Sequence, residues 1–87
     1  MFYVYILLSK KDNKFYIGYT KNVERRFVEH QLGKVVSTKN RRPLLLVGYE
    51  GYQNKEDAIS REKYFKSGGK AHNDLLMRFK NILEQFH

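Results

Sequence analysis

Three apolar runs, rich in aromatic and β-branched residues, mark the chain at residues 2–8, 15–20 and 44–49. A polar stretch with Asp12 and Asn13 at its centre separates the first two runs, and this pair tolerates tight-turn geometry. We therefore expect a β-hairpin followed by a third strand. The first run is apolar throughout, which favours a strand that is covered on both faces or flanked by two others.

Segments with helical spacing lie between and after these runs. Asn22 is placed to cap a helix that runs to about residue 32, and Asn54 is placed to cap a second helix that runs to about residue 66. A third helix is predicted over residues 73–85, with apolar side chains at a spacing typical of core packing. These side chains are Leu75, Leu76, Phe79, Ile82, Leu83 and Phe86.

The order of elements is β-β-α-β-α-α, which predicts an α+β fold. In this fold a three-stranded antiparallel sheet, with the first strand in the middle, is flanked by helices. The length of 87 residues predicts a single domain over residues 1–87.

Charge and composition indicate the class of partner. The chain has 17 Lys and Arg against 9 Asp and Glu, a formal net charge of +8, which favours nucleic acid before a membrane surface. It contains no cysteine, which excludes disulfides and thiolate metal sites. The first apolar run is too short to span a membrane and lacks the basic start of a signal peptide, so we expect a cytoplasmic protein.

Five residues could carry chemistry, and each has a structural alternative. Tyr5 and Tyr16 lie on the two hairpin strands, where tyrosine commonly packs in a core. Arg26 and His30 are one helical turn apart and share a face; their alternatives are a solvated cation and a hydrogen-bonded core histidine. Glu62 lies on the apolar side of the second helix, where a carboxylate is unfavourable unless it binds a metal or pairs with Arg or Lys.

These residues also carry a resemblance to a known family. The chain resembles a GIY-YIG nuclease domain, in its small stand-alone bacterial form, over residues 2–66. Tyr16-Ile17-Gly18 matches the second triplet of the family name, whereas Tyr3-Val4-Tyr5 departs from the first triplet at two positions. The ordered series is more specific than either triplet, and its members are Tyr5, Tyr16, Gly18, Arg26, His30 and Glu62.

The resemblance implies an endonuclease that hydrolyses phosphodiester bonds in DNA, in repair or recombination. Glu62 would hold a single Mg²⁺ or Mn²⁺, which accepts few protein carboxylates and keeps water and phosphate oxygens as ligands. Arg26 would neutralise the phosphate. Tyr5, Tyr16 and His30 would arrange protons, one tyrosine helping water to attack, and the sequence does not distinguish which. Gly18 would have a structural role, letting backbone or substrate approach closely.

Basic segments supply candidate nucleic-acid contacts at Lys39, Arg41, Arg42, Lys66 and Lys70. DNA is favoured over RNA, and a protein partner would supply the targeting that an attached domain gives many relatives. The main alternative is a binding module of the same fold that recognises nucleic acid without cutting it. A weaker alternative is a scaffold protein that uses the third helix as an interface.

Overall fold

The computed structural model describes residues 1–85 and is built on a three-stranded antiparallel sheet. The strands are β1 (Phe2–Ser9), β2 (Phe15–Thr20) and β3 (Leu44–Tyr52), in the order β2-β1-β3. The predicted α+β fold and the central position of the first strand are therefore confirmed. Residues 4–9 of β1 are all buried, because the strand has a neighbour on each side and helices over both faces.

The helices begin where their capping residues predict. In α1 (Val23–Gln31), the side chain of Asn22 accepts a hydrogen bond from the Arg25 amide at 3.0 Å. In α2 (Lys55–Lys66), Asn54 accepts one from the Glu56 amide at 2.8 Å. A single 3-10 turn at Lys39–Arg41 interrupts the long connection from α1 to β3.

The predicted third helix is wrong in its bounds and its continuity. The structure has two helices here, α3 (Lys70–Arg78) and α4 (Lys80–Gln85), with a break at Phe79. The ring of Phe79 packs against the ring of Phe15 with centroids 5.9 Å apart, so the break accompanies insertion of this side chain into the core. Phe86, the last residue of the predicted apolar stripe, lies outside the described residues.

The two faces of the sheet carry different cores. One face packs against α2 and α3. The buried residues of the core between them are Val4, Ile6, Ile17, Ala58, Phe65 and Leu75. The other face carries Tyr5, Leu7 and Leu44 and packs against Val23 and Phe27 of α1. The helix with the candidate arginine and histidine therefore covers the face that bears Tyr5.

Glu50 on β3 ties the sheet to α2 and α3. Its carboxylate accepts hydrogen bonds from Arg61 Nε at 2.9 Å, from an Arg78 amino group at 2.9 Å and from the Tyr52 hydroxyl at 2.6 Å. Burial alone would raise the pKa of Glu50, but these hydrogen bonds outweigh it and lower the pKa to about 2. The network holds the carboxylate ionised and fixes α2, the helix that carries Glu62.

Within residues 1–85, none of the helices combines the length and the apolar character that crossing a bilayer requires.

Candidate active site

The ring of Tyr5 lies directly over Gly18 on the neighbouring strand. The two residues are cross-strand partners, and Tyr5 is 1% exposed. A Cβ atom at Gly18 would overlap the ring carbons and the hydroxyl of Tyr5. The missing side chain therefore lets the phenol cross β2 and sets where its hydroxyl lies.

We expect Gly18→Ala to lower the free energy of unfolding by about 1–3 kcal/mol, since the added methyl group forces Tyr5 out of its place. Urea denaturation measures this change. Gly51→Ala is the matched control, because its Cβ would come no closer than 3.1 Å to Tyr3 and 3.2 Å to Met1, whose side chains are not fully buried and have room to shift. We expect that control to stay within about 0.5 kcal/mol of the parent protein. Equal losses in the two variants would contradict a special role for the Gly18 contact.

His30 is fully buried and joins Tyr5 to the loop after α1. Its Nε2 lies 2.8 Å from the Tyr5 hydroxyl, and its Nδ1 lies 2.7 Å from Oγ1 of Thr38. Burial, followed by the positive charge of Arg26, lowers the pKa of His30 to about 4. The imidazole is therefore neutral at physiological pH, so one ring nitrogen donates a hydrogen bond and the other accepts one.

The two tyrosines stand beside this histidine in different environments. Burial raises the pKa of Tyr5 to about 12, even though Arg26 acts to lower it. The Tyr5 hydroxyl is therefore protonated at neutral pH. Tyr16 is only half-buried, with its ring centroid 6.3 Å from that of Tyr5 and 5.2 Å from that of His30.

Arg26 lies at the open side of this cluster. Its side chain is 37% exposed and forms an ion pair with Glu29 at 3.0 Å. The hydrogen bond to Glu29, followed by an interaction with the Tyr5 hydroxyl, raises the pKa of Arg26. The guanidinium is thus held next to the phenol while part of it remains open to solvent.

Glu62 lies on α2 and acts electrostatically on the Tyr5 hydroxyl. Its charge is close enough to Tyr5 to contribute to the raised pKa of that hydroxyl. Its side chain is 21% exposed, and Lys66 Nζ lies 3.0 Å from one carboxylate oxygen. The lysine pairing that the sequence left open as an alternative is therefore present. The structure brings five sequence-predicted residues together: Tyr5, Tyr16, Arg26, His30 and Glu62.

The ligand set at Glu62 suits one hard cation. Among residues 1–85 there is no group of three or more histidine or carboxylate side chains that could hold a metal ion. Mg²⁺ does not need such a group, because it is commonly bound through one or two carboxylates together with waters and substrate phosphate oxygens. A single, partly exposed carboxylate fits that mode of binding.

The predicted basic residues of the loop after α1 are mostly used within the protein. Arg41 Nε donates to Asp12 at 2.8 Å, and an Arg41 amino group donates to the Lys14 carbonyl at 3.1 Å. Arg42 Nε donates to the carbonyl of Lys39 at 2.9 Å. These bonds hold the loop in place, so replacing either arginine would disturb structure as well as any phosphate contact.

Lys39 and Lys70 are exposed, the first in the 3-10 turn and the second at the start of α3. Lys39 lines a hollow together with Lys11 and Arg42, and that hollow includes none of the five clustered residues. The structure therefore leaves Lys39 apart from the cluster, whereas Lys66 touches it through Glu62.

A groove of about 520 Å³ is lined by residues of β2, α2 and α3 and of the loops beside them. Tyr16 is the member of the cluster that lines it, Lys14 and Lys66 supply positive charge, and His72 and Leu76 are among its exposed lining residues. No acidic side chain is among the residues that line it. Its apolar floor and basic rim suit a strand of nucleic acid.

Sequence reasoning missed Thr38 as part of the cluster. The residue is fully buried, and its hydroxyl contacts the ring nitrogen of His30 that faces away from Tyr5. The sequence places it in a basic, polar loop, and only the return of that loop against α1 creates the contact. A hydroxyl residue shortly after the helix is the one available signal, and it is weak.

Comparison with known proteins identifies the class of this domain. The family model described as the GIY-YIG catalytic domain matches residues 1–79, which is most of the chain. The protein therefore belongs to the GIY-YIG family, and the predicted resemblance is confirmed. This membership indicates a nuclease-type domain and a nuclease-like function.

The relatives of this chain include small proteins named UPF0213. One from Limosilactobacillus reuteri is 46% identical over 68 residues, covering 75% of this chain and 70% of the relative. Another from Clostridium perfringens is 40% identical over 86 residues, covering 98% and 91%. The solution NMR structure of the UPF0213 protein BH0048 from Bacillus halodurans is 36% identical, with a TM-score of 0.55 and coverage of 92% and 86%.

Proposed function

We propose that the protein is a divalent-metal-dependent endonuclease that hydrolyses phosphodiester bonds in DNA. The observation that carries this proposal is the cluster around the Tyr5 hydroxyl: His30 Nε2 lies 2.8 Å from it, and Arg26 of α1 and, more weakly, Glu62 of α2 act on it electrostatically. A cation, a carboxylate and a phenol in one partly open cluster can stabilise charge, hold a metal ion and position water in phosphodiester hydrolysis.

Glu62 would hold one Mg²⁺ or Mn²⁺. The bound cation would supply positive charge against the phosphate oxygens and lower the pKa of water. Lys66 is paired with the Glu62 carboxylate, so its ammonium group and the divalent cation would compete for that carboxylate. Because Lys66 also lines the groove, its ammonium group has a phosphate as an alternative partner.

Arg26 neutralises charge that builds up on the phosphate in the transition state. A guanidinium is always protonated and matches phosphate oxygens in geometry, and its partial exposure leaves hydrogen-bond donors for them. Glu29 holds the side chain in place from one turn further along α1. The arrangement places a fixed positive charge beside the Tyr5 hydroxyl without burying it completely.

The environments of the two tyrosines separate their roles. A phenol with a pKa near 12 is a poor base at neutral pH, so Tyr5 acts in its protonated form as a hydrogen-bonding group. Tyr16 is the more accessible of the two and lines the groove as well as the cluster. We assign contact with the attacking water to Tyr16.

The groove beside β2 is the path of the nucleic acid in this proposal. Tyr16 belongs both to the cluster and to the lining of the groove, and the charged lining residues are lysines. The net charge of +8 adds a long-range attraction for a polyanion. Lys70 and Lys39 are exposed and would add phosphate contacts outside the groove.

Binding to DNA is expected to weaken steeply with salt, since each neutralised phosphate releases counterions. Roughly six to eight phosphate contacts give a slope of roughly −5 to −7 for log K against log salt. Fluorescence anisotropy on a labelled duplex across a salt series measures it. Lys14→Gln should make the slope shallower by about 0.9. Lys34→Gln is the control, because Lys34 lies in a hollow with Glu24 and Glu29. A slope near zero would contradict a nucleic-acid partner.

A cleavage assay tests the proposed activity directly. Purified protein with Mg²⁺ would be incubated with duplex, branched and single-stranded DNA, and with RNA of matched sequence. We expect cleavage of DNA and weaker or no cleavage of RNA. Binding to all substrates without cleavage of any would instead identify a binding module.

The cellular setting belongs to the same proposal. We propose that residues 1–87 act as one catalytic domain in the cytoplasm, in DNA repair or recombination. A protein partner would direct the domain to its substrate.

A further inference from the structure

Thr38 is a buried hydroxyl residue that has no role in the proposed mechanism. It is 0% exposed and lies between α1 and the 3-10 turn. Its Oγ1 lies 2.7 Å from Nδ1 of His30, and the other ring nitrogen of His30 lies 2.8 Å from the hydroxyl of Tyr5. The histidine thus connects Thr38 to the phenol at the centre of the cluster.

The backbone around Thr38 is fixed by the loop that contains it. The Thr38 amide donates to the carbonyl of Val35 at 3.1 Å, and the Thr38 carbonyl accepts from the Arg41 amide at 2.9 Å. The Arg41 side chain in turn binds Asp12 in the hairpin turn. Thr38 is therefore held against His30 by bonds that do not involve its own side chain.

The direction of the hydrogen bonds follows from the donors available. Arg26 lies close to the Tyr5 hydroxyl and carries only donors, so it faces that oxygen as a donor and not as an acceptor. The Tyr5 O–H is then directed at its other partner, Nε2 of His30, which accepts. A neutral imidazole that accepts at Nε2 carries its proton on Nδ1, and this N–H donates to Thr38 Oγ1.

We propose that Thr38 is a positioning residue that holds His30 in its Nδ1–H tautomer and thereby orients the hydroxyl of Tyr5. This inference rests on the proposed function only for its effect on rate. With the tautomer fixed, the lone pairs of Tyr5 face Arg26 and the open side of the site. The titratable or charged groups that face His30 are Tyr5 and Tyr16 from the sheet and Arg26 and Glu29 from α1.

Nitrogen-15 NMR on the unmodified, metal-free protein tests the tautomer without substrate. We expect the His30 signals of a neutral ring at pH 7, with the proton on Nδ1 and bare nitrogen at Nε2. The Nε2–H tautomer in the parent protein would overturn the proposal. This measurement does not depend on cleavage, so it separates failure of the inference from failure of the proposed function.

Substitution tests whether Thr38 sets the tautomer. In Thr38→Val, Nδ1 loses its partner, and a buried N–H without an acceptor is rarer than a buried acceptor without a donor. We therefore expect the variant to shift to the Nε2–H tautomer. Thr38→Ser should keep the parental tautomer, and Ser37→Ala, at an exposed neighbouring hydroxyl, should change nothing.

The rate of cleavage is expected to follow the tautomer. Thr38→Val should cut about 10–100-fold more slowly than the parent protein, the range that applies when a metal-binding histidine loses the hydrogen-bond partner that orients it. Thr38→Ser should restore most of the rate. A folded Thr38→Val protein with the parental tautomer and rate would overturn the proposal. If Thr38→Val does not fold, the parental tautomer and the Thr38→Ser spectrum decide it, and loss of the Nδ1–H form in Thr38→Ser would overturn it.

Discussion

Glu62→Gln is expected to abolish cleavage while the protein stays folded and still binds DNA. Glutamine keeps the size of the side chain but removes the negative charge that a divalent cation requires. Metal ions contribute several kcal/mol of transition-state stabilisation, so we expect the rate to fall by about 10³-fold or more. Single-turnover cleavage of a labelled DNA measures this loss, and equilibrium binding on the same DNA shows that the complex still forms.

The matched control for this variant is Glu56→Gln, an exposed acidic residue in the first turn of the same helix. We expect it to cut at the parental rate. The stability of Glu62→Gln should change little. Its ion pair with Lys66 is an i, i+4 pair in which the lysine side chain is 51% exposed, and such pairs contribute about 0.3–0.5 kcal/mol. A loss of cleavage that is explained by unfolding, as judged by thermal melting, would contradict a catalytic role.

Arg26→Ala is expected to slow cleavage by roughly 10²–10³-fold, whereas Arg25→Ala leaves the rate nearly unchanged. The two arginines are neighbours with the same charge, but they diverge by about 100° around the helix. Arg26 interacts with the hydroxyl of Tyr5. Arg25 is exposed, and its amide serves the helix cap at Asn22.

Binding and cleavage should separate in this pair of variants. A phosphate contact used only for affinity would make the two substitutions equivalent, each with a small loss of binding. A role in the transition state predicts near-parental binding for both and slow cleavage for Arg26→Ala alone. Equal effects of the two substitutions in both assays would favour a non-catalytic binding module.

Local sequence signals predicted most of the fold. Asn22 and Asn54 mark helix starts because a capping side chain satisfies backbone donors within its own segment. Asp12 and Asn13 mark the hairpin turn for a similarly local reason, and the apolar first strand indicates its central place. By contrast, the break at Phe79 depends on the fit of its ring against Phe15, a contact between distant segments.

The sequence names the members of the candidate site, and the structure adds the contacts among them. The spacing of Arg26 and His30 on one helix face is a local property, and the family motif added Glu62 from a separate helix. The contacts of Thr38 with His30 and of Lys66 with Glu62 decide hydrogen-bond direction and charge. The sequence left pairing of Glu62 with a lysine or arginine open as an alternative to metal binding. The Thr38 contact could not be predicted, because it depends on how a loop returns to its helix.

The most direct test of the proposed metal-dependent nuclease activity is cleavage of DNA by the unmodified protein with and without a chelator. Parallel reactions would contain Mg²⁺, Mn²⁺, or Mg²⁺ with an excess of EDTA, and binding would be followed in the same samples. A metal-dependent nuclease should cleave with either cation, should not cleave in EDTA, and should cleave again when Mg²⁺ is added back in excess. Full cleavage in the presence of excess chelator would contradict it.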